Sequence, residues 1–165
     1  MGLLTADDPR DTAVAWVFVV VQVVLIVTVL LLPTGDAWAV SPGVATAARL
    51  FQLLGALVLA VALINLGRSL TPLPTPVPDG ELHTGGLYRW VRHPIYSGII
   101  ASGLGAAVRS GNPWTAATVA ALIGWFMLKA RWEEQHLRSR YDGYARYAAG
   151  TPRFVPWWPV GADRR

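Results

Sequence analysis

Fourteen residues, Gly85 to Gly98 (GGLYRWVRHPIYSG), hold a glycine pair, two tyrosines, a tryptophan, two arginines, a histidine and a proline, with apolar sequence on both sides. Polar side chains this dense beside hydrocarbon-like sequence are costly to keep and mark a site. Gly85 and Gly86 permit close backbone approaches that a Cβ would block. Tyr88, Trp90 and Tyr96 offer flat faces able to hold an adenine or a cation. Arg89 and Arg92 can neutralise an anion or sit at the level of lipid headgroups. Pro94 restricts His93 to an extended conformation and can itself open a helix. The same residues could instead form only an interfacial loop, with arginines for orientation and aromatics for the membrane belt.

A second dense patch is Lys129-Ala-Arg-Trp-Glu-Glu-Gln-His136. On a helix, Lys129, Glu133 and Leu137 share one face, while Glu134 and Arg138 form an i,i+4 pair on another and read as a surface ion pair. Glu133 falls one turn beyond an apolar run, where a carboxylate needs a partner. Lys129 is one candidate and a bound cation another. Tyr141, Tyr144 and Tyr147 recur every three residues and should line one side of the helix that follows.

The elements that must position these patches are set by composition. Hydrophobic residues make up 53% of the 165 and charged residues 15%, with a mean hydropathy of +0.40. That balance describes a single-domain membrane protein. The absence of cysteine excludes disulfides, thiolate metal sites and cysteine nucleophiles. His83, His93 and His136 form no HxxxH or HExxH pair, so no zinc site is expected. The net charge of +4 follows from membrane topology and calls for no nucleic acid. Richness in Ala, Val, Gly and Arg suits a bacterium of high genomic GC content.

Ala13 to Leu32 is an uncharged run broken only by Gln22 and Thr28. At about 1.5 Å per residue it covers roughly 30 Å, one hydrocarbon thickness. It lacks a convincing cleavage site and reads as a retained first span. Pro33, Gly35 and Asp36 stop it, and Trp38 is placed as an interface anchor. A second span lies between Arg49 and Arg68, beginning near Val44. Asn65, near its end, is expected to bond a neighbouring helix. Thr71 to Gly80, with alternating prolines, reads as an extended arm that delivers Glu81, Leu82 and His83 to the first patch. Pro94 to Val108 is short for a span but carries the small-residue rows Gly98, Ser102, Ala106 and Gly103, Ala107. After the turn Arg109-Ser-Gly-Asn-Pro113 a fourth span, Trp114 to Leu128, runs straight back. The two are expected to form a helical hairpin, and the second helix to continue towards Tyr141, with a break at Asp142-Gly143. Trp157 and Trp158 belong at headgroup level.

With four spans, one side carries twelve of the fourteen Lys and Arg residues and the other only Arg49 and Arg109. The positive-inside rule then makes both termini and the 67–93 connection cytoplasmic, so the two patches can meet. The expected fold is an all-α integral membrane protein of about four transmembrane helices, with a helical hairpin and a cytoplasmic C-terminal region.

Taken together, the two patches resemble the isoprenylcysteine carboxyl methyltransferase family, whose C-terminal pattern is related to that of the phospholipid N-methyltransferases. The first signature is Gly86-Leu-Tyr88-Arg89-Trp-Val-Arg92-His93-Pro94-Ile-Tyr96-Ser-Gly98. The second is Glu133-Glu134-Gln-His-Leu137, then Tyr141, Tyr144 and Tyr147, then Pro152-Arg153-Phe-Val-Pro156. The resemblance covers residues 65–157. It implies an S-adenosylmethionine-dependent methyl transfer to a lipid-like acceptor, carried out at the cytoplasmic face of the cell membrane. On this reading residues 1–66 are an N-terminal helical pair, and 67–165 bind the cofactor and carry the chemistry. The cofactor would touch Gly80, Glu81, Leu82, His83, Tyr88, His93, Pro94, Ile95, Tyr96 and Glu133. Eukaryotic members place an arginine, which helps hold a substrate carboxylate, one helical turn before that glutamate. This chain has Lys129 there and Arg131 two residues later, and with Arg153 these are the cations expected about an acceptor carboxylate.

Three other functions fit less of the sequence. An amine acceptor would need to lose a proton, for which Glu133 or His93 could serve. Membrane sterol reductases that use NADPH carry a similar Arg-His-Pro-x-Tyr string, but usually with Asn where this chain has Ile95 and Glu where it has Ile99. A non-catalytic membrane scaffold would use the aromatics and arginines as anchors alone.

Overall fold

The computed structural model describes residues 9–67 and 82–156. The proline-rich arm with Gly80 and Glu81, residues 1–8, and Trp157 with Trp158 lie outside the described residues. Every element among those described is helical: α1 (Pro9–Leu31), α2 (Pro42–Leu66), a 3₁₀ turn (Gly86–Arg89), α3 (Pro94–Ser110), α4 (Pro113–Arg140) and α5 (Tyr144–Gly150).

Local chemistry sets the helix ends. Proline opens α2, α3 and α4 at the first turn, where a missing N–H costs nothing. Ser41 accepts from the Val44 amide ahead of α2, and Asn112 accepts from the Trp114 amide ahead of α4. The Ser41–Pro42 start places the head of α2 two residues before the expected Val44. Gly111, in the left-handed region at φ +59°, closes α3. α4 runs past its apolar part to Arg140, and the break before α5 falls at the expected Asp142-Gly143.

α1 packs on α4, α4 on α3, and α3 most extensively on α2. A Cβ added to Gly98 would lie 2.7 Å from Gly55 O and 2.7 Å from Leu59 N. One added to Gly105 would lie 2.5 Å from Ala48 O. The Gly98 and Gly105 face of α3 therefore serves α2. Towards α4, α3 presents Gly103, which faces Val119, and Tyr96, which joins Leu122, Phe126 and Ala130 in the core. Leu25 and Ile26 of α1 pack against that core.

The two short connections at one end are stitched together. Gly35 N donates to Ser110 O at 2.7 Å, Ala37 N to Gly111 O at 2.9 Å and Asn112 Nδ2 to Pro33 O at 2.9 Å. Trp38 Nε1 donates to Val108 O, so its indole is fixed to the end of α3. The opposite end holds the head of α3, the tail of α4 and α5.

α1 and α2 are each long and apolar enough to cross a membrane. Val17, Val20, Val24 and Leu31 of α1 and Leu50, Leu54, Leu57 and Ile64 of α2 all point outward. Two apolar faces of this kind are untenable in water and ordinary in hydrocarbon, as a helical membrane protein requires.

Candidate functional site

The site grows from the head of α3. Arg92 N donates to Pro152 O at 2.8 Å and His93 N to Arg153 O at 3.0 Å, so the segment after α5 lies alongside the His93–Pro94 turn. Ser97 Oγ donates to Phe154 O at 2.6 Å and continues the pairing. Pro94 then starts α3, and Tyr96 points inward. Its ring stacks on His93, centroids 5.2 Å apart and planes 3° off parallel, and on Phe126 at 4.6 Å.

Adjacent glutamates on α4 have opposite roles. Glu134, expected as a surface partner of Arg138, is 2% exposed and lies at the centre of a buried ion cluster. Arg153 grips it at two points, Nε to Oε1 at 2.8 Å and a terminal nitrogen to Oε2 at 2.7 Å. Arg92 comes within 3.2 Å of Oε1, and His93 Nε2 donates to the same oxygen at 3.1 Å. Burial pushes the Glu134 carboxyl up. The hydrogen bonds from Arg153 and His93 and the Arg92 charge outweigh it and hold the group well below the usual carboxylate range. A periodicity argument sees only residues on the same helix; Arg92, His93 and Arg153 come from elsewhere.

Glu133, one residue back, is oriented towards the open side, with its side chain 25% exposed. Tyr96 Oη donates to its Oε2 at 2.9 Å, and His93 Nδ1 lies 3.6 Å from the same oxygen. Among the described residues no lysine or arginine pairs with it. His93 thus stands between the two carboxylates and is fixed by one while facing the other.

Lys129 makes its hydrogen bond to α1 and forms no ion pair with Glu133. Its ammonium donates to Gln22 Oε1 of α1 at 2.7 Å and lies 5.4 Å from the centre of the Tyr96 ring. The residue is 3% exposed. In the sequence Gln22 is only an interruption of an apolar run. Such an interruption is the available signal, since a lone amide in hydrocarbon requires a partner.

Tyr88 is buried at the edge of the same region. Asn65 Oδ1 accepts from Leu87 N at 2.9 Å and secures the 3₁₀ turn that carries Tyr88. Gly86, at φ +56°, is needed there: a Cβ would collide with the Asn65 carboxamide. Tyr147 donates its hydroxyl to Tyr88 O at 2.5 Å, and His83 packs edge-on against the Tyr88 ring at 5.2 Å. Burial, then the negative charge of Glu133, pushes the Tyr88 hydroxyl well above the ordinary tyrosine value. Burial pushes Tyr147 up to about 12, so both remain neutral hydrogen-bonding groups. Tyr144 is buried and Tyr147 half-buried on α5, but Tyr141 belongs to the end of α4, so the three tyrosines do not share one helix.

The structure therefore brings Tyr88, His93, Pro94, Tyr96, Lys129 and Glu133 to one end of the bundle, with Leu82 and His83 half-buried nearby. Ile95 packs into the core beside Tyr96. Arg131 is exposed on the far side of α4 from Lys129 and Glu133. Arg153 is near, but Glu134 engages its guanidinium. Phe154, which the sequence had offered only as a spacer, lies 5.8 Å from the His93 ring and 6.5 Å from Tyr96. It also ends an apolar groove of about 440 Å³ between α2 and α3, lined by Phe51, Leu54, Val58, Ala101 and Leu104.

Protein-S-isoprenylcysteine O-methyltransferase B of Arabidopsis thaliana is 33% identical over 110 residues, covering 64% of this chain and 55% of the relative. The protein-S-isoprenylcysteine O-methyltransferase of Schizosaccharomyces pombe is 30% identical over 119 residues, covering 69% of this chain and 50% of the relative. The chain thus spans about half the length of these curated relatives. A family model described as phospholipid methyltransferase matches residues 44–143, a stretch that runs from α2 through the His93–Pro94 turn to both glutamates of α4. With that much of the bundle and of its polar end matched, the chain belongs to the phospholipid methyltransferase family.

Proposed function

We propose that this protein transfers a methyl group from S-adenosylmethionine to the carboxylate of a lipid-like acceptor, at the cytoplasmic face of a cell membrane. The observation that carries the reading is the contrast between the two glutamates. Glu134 absorbs Arg92, His93 and Arg153, and Glu133 is left as an open carboxylate beside aromatic faces.

These residues fit the cofactor. Glu133 can accept from its ammonium or ribose groups, and the neutral phenols of Tyr88 and Tyr96 can face a sulfonium without repelling it. When bound, the cofactor supplies an electrophilic methyl on positively charged sulfur. Transfer to a carboxylate would exchange that S–CH₃ bond for an O–CH₃ bond and leave the neutral thioether behind. Opposite charges cancel and no proton is released, so the chain's task is positioning and exclusion of water. His93, fixed by Glu134, and Tyr96, stacked between His93 and Phe126, form a rigid wall for that purpose. Lys129 offers a positive charge to the acceptor head and favours a carboxylate over an amine. The groove that ends at Phe154 supports an acceptor whose tail stays among apolar side chains.

The topology belongs to the same proposal: four spans, α1 to α4, with both termini cytoplasmic. Reporters fused after Asp36 and at the C-terminus should mark opposite sides. Same-side reporters would remove the cytoplasmic site. For the activity, calorimetry on purified protein should detect S-adenosylmethionine and not NADPH. Label from the cofactor should then pass to a long-chain carboxylate in preference to the matched amine. Binding of NADPH alone would replace methyl transfer with reduction.

A further inference from the structure

α1 lies outside the matched stretch 44–143, yet it reaches the polar end of the bundle. Its contacts with α4 run antiparallel: Asp11 is 3.6 Å from His136, Phe18 packs on Trp132 and Trp125, and Gln22 accepts from Lys129. Gln22 lies nine residues beyond Ala13, or about 14 Å along the helix. Lys129 is therefore walled on one side by apolar turns of α1, with Gln22 as its protein partner there.

The contact leaves donors over on both side chains. An ammonium has three protons, and Gln22 Oε1 takes one. Among the described residues no protein acceptor takes the Gln22 Nε2 protons or the other two on Lys129. Two amide protons and two ammonium protons thus stand together, one charge among them, beside the Tyr96 ring. A carboxylate has two oxygens with four acceptor positions and matches that set; an alcohol head leaves the charge unpaired. A lone lysine in this setting would swing freely and be costly to desolvate. Gln22 holds it in one place.

We propose that Gln22 and Lys129 together form the receptor for the acceptor's carboxylate, so that α1, outside the matched stretch, determines head-group specificity. The inference rests on the methyl-transfer reading for its biological meaning. Its test is independent of turnover, because Lys129 is the only lysine in the chain. Full-length protein labelled with ¹⁵N at lysine Nζ gives one side-chain ammonium resonance, which reports directly on the pair. Titration with palmitate in micelles should shift that resonance saturably, and hexadecanol in the same micelles should not. In Gln22→Leu the palmitate dissociation constant should rise about tenfold, the scale of one lost hydrogen bond to a charged group. Gln22→Glu keeps an acceptor on Lys129, and so the folded contact, but sets a negative charge against the ligand. It should weaken palmitate at least as far as Gln22→Leu. In turnover, both variants should raise KM for a carboxylate acceptor while kcat and cofactor affinity stay within about twofold, the pattern of lost ground-state binding. A resonance indifferent to palmitate, equal shifts with hexadecanol, or wild-type palmitate affinity in Gln22→Glu would overturn the receptor. Saturable palmitate binding without methyl transfer to any acceptor would keep the receptor and reject the enzyme reading.

Discussion

Arg153 holds Glu134 by two parallel contacts, 2.8 and 2.7 Å, across the gap between the C-terminal segment and α4. Paired guanidinium and carboxylate groups in this geometry orient as well as bind. Here the pair aligns the chain after α5 with the His93–Pro94 turn. Glu134→Gln would leave Arg92, largely buried, and Arg153, partly exposed, against a neutral amide. Removing one partner of a buried ion pair typically costs about 3–5 kcal/mol. The variant should lose about that much in denaturant or thermal unfolding, whereas Arg131→Gln, on the exposed face of the same helix, should change stability little.

The same cluster sets a pH response. The folded carboxyl of Glu134 titrates below its ordinary value of 4.5, because Arg153, His93 and Arg92 outweigh its burial. A depressed folded value means that the stabilisation is complete above 4.5 and is lost as pH falls below it towards the folded value. Thermal midpoints should therefore drop on acidification through this range. In Glu134→Gln the drop should be clearly smaller, and an identical slope in both proteins would show that other carboxylates control acid stability.

Glu133 should act on ligand affinity more than on folding. It is partly exposed, and its described contacts are to Tyr96 and His93. Calorimetry on Glu133→Ala should show S-adenosylmethionine weakened by about 1–3 kcal/mol, the scale of a lost charged hydrogen bond, with unfolding little changed. Tyr96→Phe removes the hydroxyl that orients Glu133 but keeps the stack on His93 and Phe126, so its loss should be smaller. Full affinity in a folded Glu133→Ala protein would refute the assignment.

Close approach of α2 and α3 makes a third kind of demand. Gly98→Ala would bring a methyl within 2.7 Å of backbone atoms of both Gly55 and Leu59, and backbone cannot swing aside as a side chain can. We expect loss of folded protein, read by yield and thermal midpoint in detergent. Gly124→Ala meets nothing within 4 Å and should be tolerated.

Helix positions were largely legible from the chain. Apolar runs, prolines at first turns and the Asp142-Gly143 break predict the α1, α3 and α4 boundaries to within a few residues, because each signal is local. The aromatic and histidine side of the site was legible for the same reason, as a compact motif about Pro94. The division of labour between Glu133 and Glu134 was not. Its cause lies in Arg92 and Arg153, which approach from 42 and 19 positions away along the chain. Gln22 is a similar case, 107 positions from Lys129. Helical periodicity has no access to such pairs, and the i,i+4 spacing to Arg138 supplied a plausible but unused partner.

Proteins are made from the N-terminus, and Arg153 is the final member of its cluster to leave the ribosome. Arg92, His93 and Glu134 are all synthesised earlier and can pack as α3 and α4 pair. Until residues 152–154 arrive, His93 lacks the backbone segment that flanks it, Glu134 lacks its two-point partner and the end of the apolar groove lacks Phe154. The order of synthesis thus makes the C-terminal segment a completion step. A chain that stops before residue 152 would lack the backbone pairing beside His93, the two-point partner of Glu134 and the end of the groove together.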